Sequence, residues 1–193
     1  MIKIILSLLM TVGFCSAETF NFDFTQSNPW AAVDGQSAYS LQYSPGYSIT
    51  LNALPSGKTL DQTSAGIGIG PLQPDEIQNG EFLQVSFTPP ATLNSATVDK
   101  LYLTWLDNDQ GAYQVNGKGN WITFNGNSSG TLTLDIGSEV ESITFRANPV
   151  GILSPSDYAL KGMQVSVPDG GVTLMLLGGA LVGLATLRRK FNA

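Results

Sequence analysis

From Thr19 to Val167, apolar and polar residues alternate in short runs cut by Gly, Pro and Asn. Phe20, Phe22 and Phe24 fall on one side of the first run, with Thr19, Asn21 and Asp23 on the other. A period of two predicts a half-buried strand, because successive side chains of an extended chain point to opposite faces. Ala38 to Tyr43 and Tyr47 to Leu51 flank Ser44-Pro45-Gly46, which predicts a hairpin. Leu54 to Ser64 is polar and reads as a loop. Gly66-Ile67-Gly68-Ile69-Gly70 is followed by Pro71 and Pro74 rather than by a helix, so it fails as a phosphate cradle. It reads as a Gly-rich strand or bulge with the isoleucines inward. Glu81 to Phe87 predicts a strand ended by Pro89-Pro90, and Val98 to Leu106 the strongest strand, with Leu101, Leu103 and Trp105 opposite Tyr102 and Thr104. Trp121 to Phe124, Thr131 to Ile136, Val140 to Arg146 and Tyr158 to Val167 complete the set, with turns at Asn125-Gly126-Asn127 and Ile136-Gly137-Ser138. Short strands at regular spacing, without a long helical pattern, predict an all-β fold, an antiparallel β-sandwich that is jelly-roll-like. No internal repeat is visible, which argues against a propeller or solenoid.

Both ends break the alternation. Met1 to Ala17 reads as a signal peptide, with Lys3 as its positive start and Ile4 to Phe14 as its apolar stretch. Cys15 and Ala17 place small residues at the −3 and −1 positions of a cut between Ala17 and Glu18. Lipidation of Cys15 is the weaker reading, because Phe14 stands where a small residue is expected. At the other end, Val167-Pro168-Asp169-Gly170-Gly171 breaks the last strand. An uncharged apolar run follows from Val172 to Leu187, close to the lower limit of about 17 residues for a spanning helix. Arg188, Arg189 and Lys190 close it with a basic cluster, expected on the cytoplasmic side of a single-pass transmembrane helix. The chain therefore divides into a signal peptide (1–17), an extracytoplasmic β-sandwich domain (18–166) and a C-terminal tail (167–193). The last strand runs directly into the tail, without a stalk.

Motif, apolar run and basic cluster, in that order, resemble the PEP-CTERM sorting signal of bacterial exosortase substrates. The resemblance covers Val167 to Ala193. Pro168-Asp169-Gly170 stands where the commonest form has Pro-Glu-Pro, and the segment is similar to the Val-Pro-Asp-Gly-Gly and Val-Pro-Asp-Ser-Gly variants. The resemblance implies recognition by an exosortase-type transpeptidase, cleavage near the motif, and release or transfer to another surface molecule. It also implies a destination at the cell surface or in the extracellular polysaccharide matrix of a Gram-negative bacterium.

Charge and composition narrow the chemistry. The chain has 9 basic and 15 acidic residues and a formal net charge of −6. Lys3, Arg188, Arg189 and Lys190 lie in the end segments, so the middle is more acidic still. Such a surface repels a phosphate backbone, and no nucleic-acid partner is expected. Cys15 is the only cysteine and there is no histidine. Once the signal peptide is removed, disulfides and thiol chemistry are excluded; without histidine, so are Ser-His-Asp hydrolysis and the usual zinc sites.

Two acidic stretches carry the remaining candidate chemistry. Asp107-Asn108-Asp109-Gln110-Gly111 has oxygen ligands at alternate positions and a turn glycine, as a calcium loop does, but lacks the closing Glu. A polar β-turn uses the same residues. Asp75, Glu76 and Glu81 concentrate three carboxylates. With the preceding glycines they resemble a pattern of extracellular β-sandwiches that bear such tails. They read as a calcium site, as a solvated loop, or as paired carboxylates for glycoside hydrolysis. Trp30, Trp105 and Trp121, with Tyr39, Tyr43, Tyr47, Tyr102 and Tyr113, offer sugar-stacking surfaces or core filling. Trp105 belongs to the core by its alternation, whereas Trp30 and Tyr113 are expected to be exposed. Asn127-Ser128-Ser129 matches a glycosylation sequon that means little in a bacterium. The sequence therefore points to a non-enzymatic surface or matrix protein, polysaccharide-associated and sorted by an exosortase. The alternatives are a permanently anchored binding domain and a carboxylate-dependent carbohydrate-active enzyme.

Overall fold

The alternating runs become strands of one curled antiparallel sheet. The computed structural model describes residues 17–70, 76–99, 109–148, 156–167 and 188. The strands are β1 (Glu18–Asp23), β2 (Ala38–Ser44), β3 (Tyr47–Leu54), β4 (Leu60–Thr63), β5 (Gly66–Ile69), β6 (Phe82–Asp99), β7 (Gln110–Val115), β8 (Ile122–Asn125), β9 (Leu132–Ala147) and β10 (Ala159–Val167). Their order is β4-β5-β10-β6-β9-β7-β8, with β1 added to β10, and β2 joined to β6 through β3. Thr19–Ser166 forms one compact unit; Met1–Glu18 and Val167–Ala193 make up a second.

The frame is the long pair β6 and β9, and it corrects two expectations. Pro89-Pro90 does not end a strand, and Gly137-Ser138 does not separate two. Between the pairs Ser86↔Ser142 and Ala91↔Val140, β6 advances five residues while β9 advances two. The excess forms a bulge holding both prolines, whose missing backbone donors need no ladder partner there. A second shift, between Leu93↔Ser138 and Ser95↔Asp135, places the extra residue on β9, where Gly137 adopts φ +58°. That left-handed conformation is one that glycine takes at little cost.

At this bend the sheet forks. Up to Thr88, the free edge of β6 pairs with β3; from Thr92 onward it pairs with β10. On the β3 branch, Leu51, Val85 and Ile143 stand in one cross-strand row, and Ala53, Leu83 and Phe145 in the next. On the β10 branch, Leu93, Ala96, Val98, Leu160 and Val165 are equally sequestered. Each large side chain so buried contributes roughly 1.5–3 kcal/mol.

Aromatic side chains close the curl. β1 runs along β10, with Asn21 accepting from Gln164 at 3.0 Å. Its inward face meets β2: Phe20 and Phe22 lie 4.8 and 5.1 Å from the Tyr43 ring. Burial, then the neighbouring Tyr47, pushes the Tyr43 phenol up to about 12. Trp30 is buried against Phe24 at 4.7 Å and Tyr39 at 6.2 Å. Tyr113 is also buried, on β7 opposite Phe145. The sequence places both outside, because a Pro-containing loop and an acidic stretch hide the fact that each packs on the core.

Two strands went unread. β4 lies inside the expected loop and pairs with β5, and β7 takes in Gln110 and Gly111, the end of the stretch read as an acidic turn or calcium loop. In β4 only Leu60 is apolar, so no alternation marks it. Its place is set by partners instead: the Gln62 N–H donates to Asp34 at 2.7 Å, and the Gln62 side chain to the Phe24 carbonyl at 3.1 Å. The expected strand from Val98 to Leu106 contributes Val98 and Asp99 to β6; 100–108 lie outside the described residues.

Asp23 ends β1 with a local cap. Its carboxylate accepts from the Thr25 hydroxyl at 2.7 Å, the Thr25 N–H at 3.0 Å and Gln26 at 3.3 Å. These bonds, the Thr25 hydroxyl first, hold its pKa below the ordinary value. A depressed carboxylate stabilises the fold above its unfolded pKa, and that contribution fades as pH falls through the folded value. Asp23→Ala should therefore unfold at lower denaturant than wild type at pH 7, and the gap should close below about pH 4. Denaturant midpoints measured across pH 3 to 7 check this.

Candidate functional site

The register that buries one face of the β3 branch also composes the other. Thr50, Ser86 and Ser142 form one outward row, and Asn52, Gln84 and Thr144 the next. Ser40 pairs with Thr50, their hydroxyls 2.7 Å apart, and Gln114 extends the second row beside Thr144. Across β3, β6, β9 and β7 every side chain in these two rows is an amide or a hydroxyl and is half-buried; on β2, Ala38 stands beside Asn52. Each group can both donate and accept, or presents both functions side by side.

The third row changes character. Leu54, Phe82 and Arg146 are neighbours across β3, β6 and β9. The Arg146 guanidinium carbon lies 4.2 Å from the centre of the Trp121 ring, and the Phe82 ring lies 6.1 Å from it at 45°. A cation over an indole contributes about 0.5–1 kcal/mol near a surface. No carboxylate pairs with Arg146 among the described residues. Trp121 is half-exposed and follows a turn tied by Gln114, which donates to the Gly119 carbonyl at 2.8 Å. From below, the buried Tyr158 hydroxyl donates to the Arg146 carbonyl at 2.9 Å. Burial pushes the Tyr158 phenol well above its usual value.

The β10 branch carries charge instead. Lys161 pairs with Asp99 at 2.9 Å, and Thr131 donates to the same carboxylate at 2.7 Å. A shallow groove of about 340 Å³ runs beside this pair, past Asn21, Thr97 and Gln164.

Of the acidic candidates, Asp75 and Asp107 lie outside the described residues. Glu76, Glu81 and Asp109 are buried. Glu81 pairs with Lys58 at 2.8 Å and accepts the Gln78 N–H at 2.9 Å. The Asp109 carbonyl accepts from Gly126 at 2.8 Å, tying the start of β7 to the end of β8. Among the described residues, no three His, Cys, Asp or Glu side chains are gathered as a metal site.

Ala17 and Glu18 are exposed, with Glu18 opening β1. Val167 is the last residue of β10 and is buried. Pro168, Asp169, Gly170 and Gly171 lie outside the described residues, as do Val172 to Leu187, Arg189 and Lys190; Arg188 is exposed. No helix among the described residues is long and apolar enough to cross a membrane. Trp105 and Tyr102 also lie outside them. The outward polar rows escaped the sequence reading. Their signal was the uncharged polar residue at every second position of three separate strands.

Residues 166–191 match the VPDSG-CTERM motif, a PEP-CTERM-type sorting motif variant. Gly170 stands where the motif's name has Ser. A comparison with curated proteins returned no match. Among solved structures, the chain is similar to an exo-β-1,3-galactanase from Phanerochaete chrysosporium, solved with β-1,3-galactotriose, at 14% identity and a TM-score of 0.34. The alignment covers 78% of this chain and 30% of that one. A likeness at that score carries no argument about function.

Proposed function

We propose that this chain is an exported surface protein whose C-terminal tail is read and cut by an exosortase-type transpeptidase. The observation that carries the proposal is the sorting motif at residues 166–191. Its place in the fold supports the reading. β10 ends at Val167, so a cut anywhere from Pro168 to Gly171 leaves every described strand in the released product. In this proposal the signal peptide leaves between Ala17 and Glu18. Val172 to Leu187 holds the precursor in the inner membrane as a single-pass helix, with Arg188, Arg189 and Lys190 on the cytoplasmic side. The destination is the surface or polysaccharide matrix of a Gram-negative bacterium, and the mature domain is a jelly-roll-like sandwich that binds rather than catalyses. Support for a non-catalytic role comes from the absence of histidine and from Glu81 being committed to Lys58. A cation at Glu76, Glu81 or Asp109 forms no part of the proposal.

The test moves the tail to another protein. Residues 166–193 are fused to a soluble periplasmic reporter and expressed in one host with an exosortase and in one without. The reporter is expected outside the membrane fraction, and shortened, only in the first host. Full-length reporter held in the membranes of both would leave a permanent anchor and overturn the proposal.

A further inference from the structure

We propose that the outward face of β3, β6 and β9 binds a neutral polysaccharide, with Trp121 as the stacking residue. This deepens the matrix association proposed above, yet it rests on a surface distinct from the tail. The protein is acidic overall, with a net charge of −6, but the two polar rows contain no ionised group. An anionic polymer gains nothing from such a face and is repelled by the rest of the molecule. A phosphate or sulfate ligand needs clustered cations, and Arg146 is the only one in the three rows.

Neutral sugar hydroxyls need the opposite arrangement. Each donates and accepts, so each is satisfied by an amide or a second hydroxyl without the desolvation cost of an ion. Thr50, Ser86, Asn52 and Gln84 present such groups on neighbouring strands, at the spacing of about 4.8 Å between strands that the backbone ladder imposes. The face is built on central strands, so its groups are held without loop ordering. A pyranose ring also has an apolar side, and Trp121 supplies the flat partner for it at the edge of the rows. Arg146 and Phe82 pack against the indole and hold its orientation, and the ring keeps part of its surface open to a sugar. Leu54, 36% exposed, extends that apolar margin. The groove beside Lys161 is the less suitable surface, because its charges are already paired with one another.

The test is affinity electrophoresis of the protein purified from its host, with or without its tail. The gels contain a β-glucan, a mannan or dextran as neutral polymers, and alginate as the anionic control. Retardation is expected with at least one neutral polymer and not with alginate. Trp121→Ala should weaken it about tenfold, and Trp121→Phe should restore part of the loss. Gln84→Glu exchanges the amide NH2 for a carboxylate oxygen and puts a charge in the rows. It should weaken binding several-fold with an unchanged circular dichroism spectrum. No retardation by any neutral polymer, stronger retardation by alginate, or Trp121→Ala binding equal to wild type would each overturn the proposal. Because purified protein is assayed, a failure here leaves the sorting proposal intact, and a failure of sorting leaves this one intact.

Discussion

Gly66→Ala is expected to destabilise the fold by about 3 kcal/mol or more, since it adds backbone strain to overpacking. Gly66 opens β5 at φ +134°, a conformation that residues with a side chain rarely adopt. A Cβ at this position would press on the Leu160 carbonyl group, lying 2.6 Å from its carbon, and would sit 2.8 Å from the Lys161 Cα. These are backbone atoms of β10, so no side-chain rotation relieves the contact. The strand must retreat, and with it Ile67 and Ile69, which are fully buried. For a domain of this size the melting temperature should fall roughly 10 °C. Gly80 is the control. It also has a positive φ, +85°, but nothing lies within 4 Å of its would-be Cβ. Gly80→Ala should cost only the conformational part, about 1 kcal/mol. Equal losses for the two variants, by thermal or urea unfolding, would show that the close approach of β5 to β10 does not constrain Gly66.

Replacing Pro168 and Asp169 together by alanine should stop processing while leaving the folded domain alone. Pro168 fixes its own φ and biases Val167, the last residue of β10, toward extended backbone. It also lacks the N–H that would continue the strand ladder. Asp169 is the one acidic residue between Val167 and Ala193, and therefore the one anionic handle in the tail. If each contact contributes about 1.4 kcal/mol to the cleavage transition state, the double variant is cut about a hundredfold more slowly. Full-length chain should then accumulate in the membrane fraction. Its melting temperature should match that of the wild-type precursor, because every described strand lies before Pro168. Normal release of the double variant would mean that some other feature of the tail is read.

The fold was most legible where one side of a strand is buried and no bend intervenes. Phe20, Phe22 and Phe24 announced β1, and Pro45-Gly46 announced the β2–β3 hairpin. Ile67 and Ile69 were rightly placed inward. Legibility failed where tertiary pairing outweighed local signals. Pro89-Pro90 looked like a stop because a proline lacks a ladder donor, yet a bulge removes the need for one. β4 was invisible because its position comes from hydrogen bonds to Asp34 and Phe24 rather than from apolar alternation. The tail was legible as a motif since its order of turn, apolar run and basic cluster is a linear signal. The polar rows were not, because Thr50, Ser86 and Ser142 become neighbours only through register.

Everything proposed about destination turns on whether the tail leaves the chain. The direct measurement is the intact mass of the protein recovered from the cells and from the medium of its native host. A released species is expected that begins at Glu18 and ends between Pro168 and Gly171, with any attached surface group appearing as added mass at that end. A species that runs to Ala193 and is confined to the membrane fraction would contradict it.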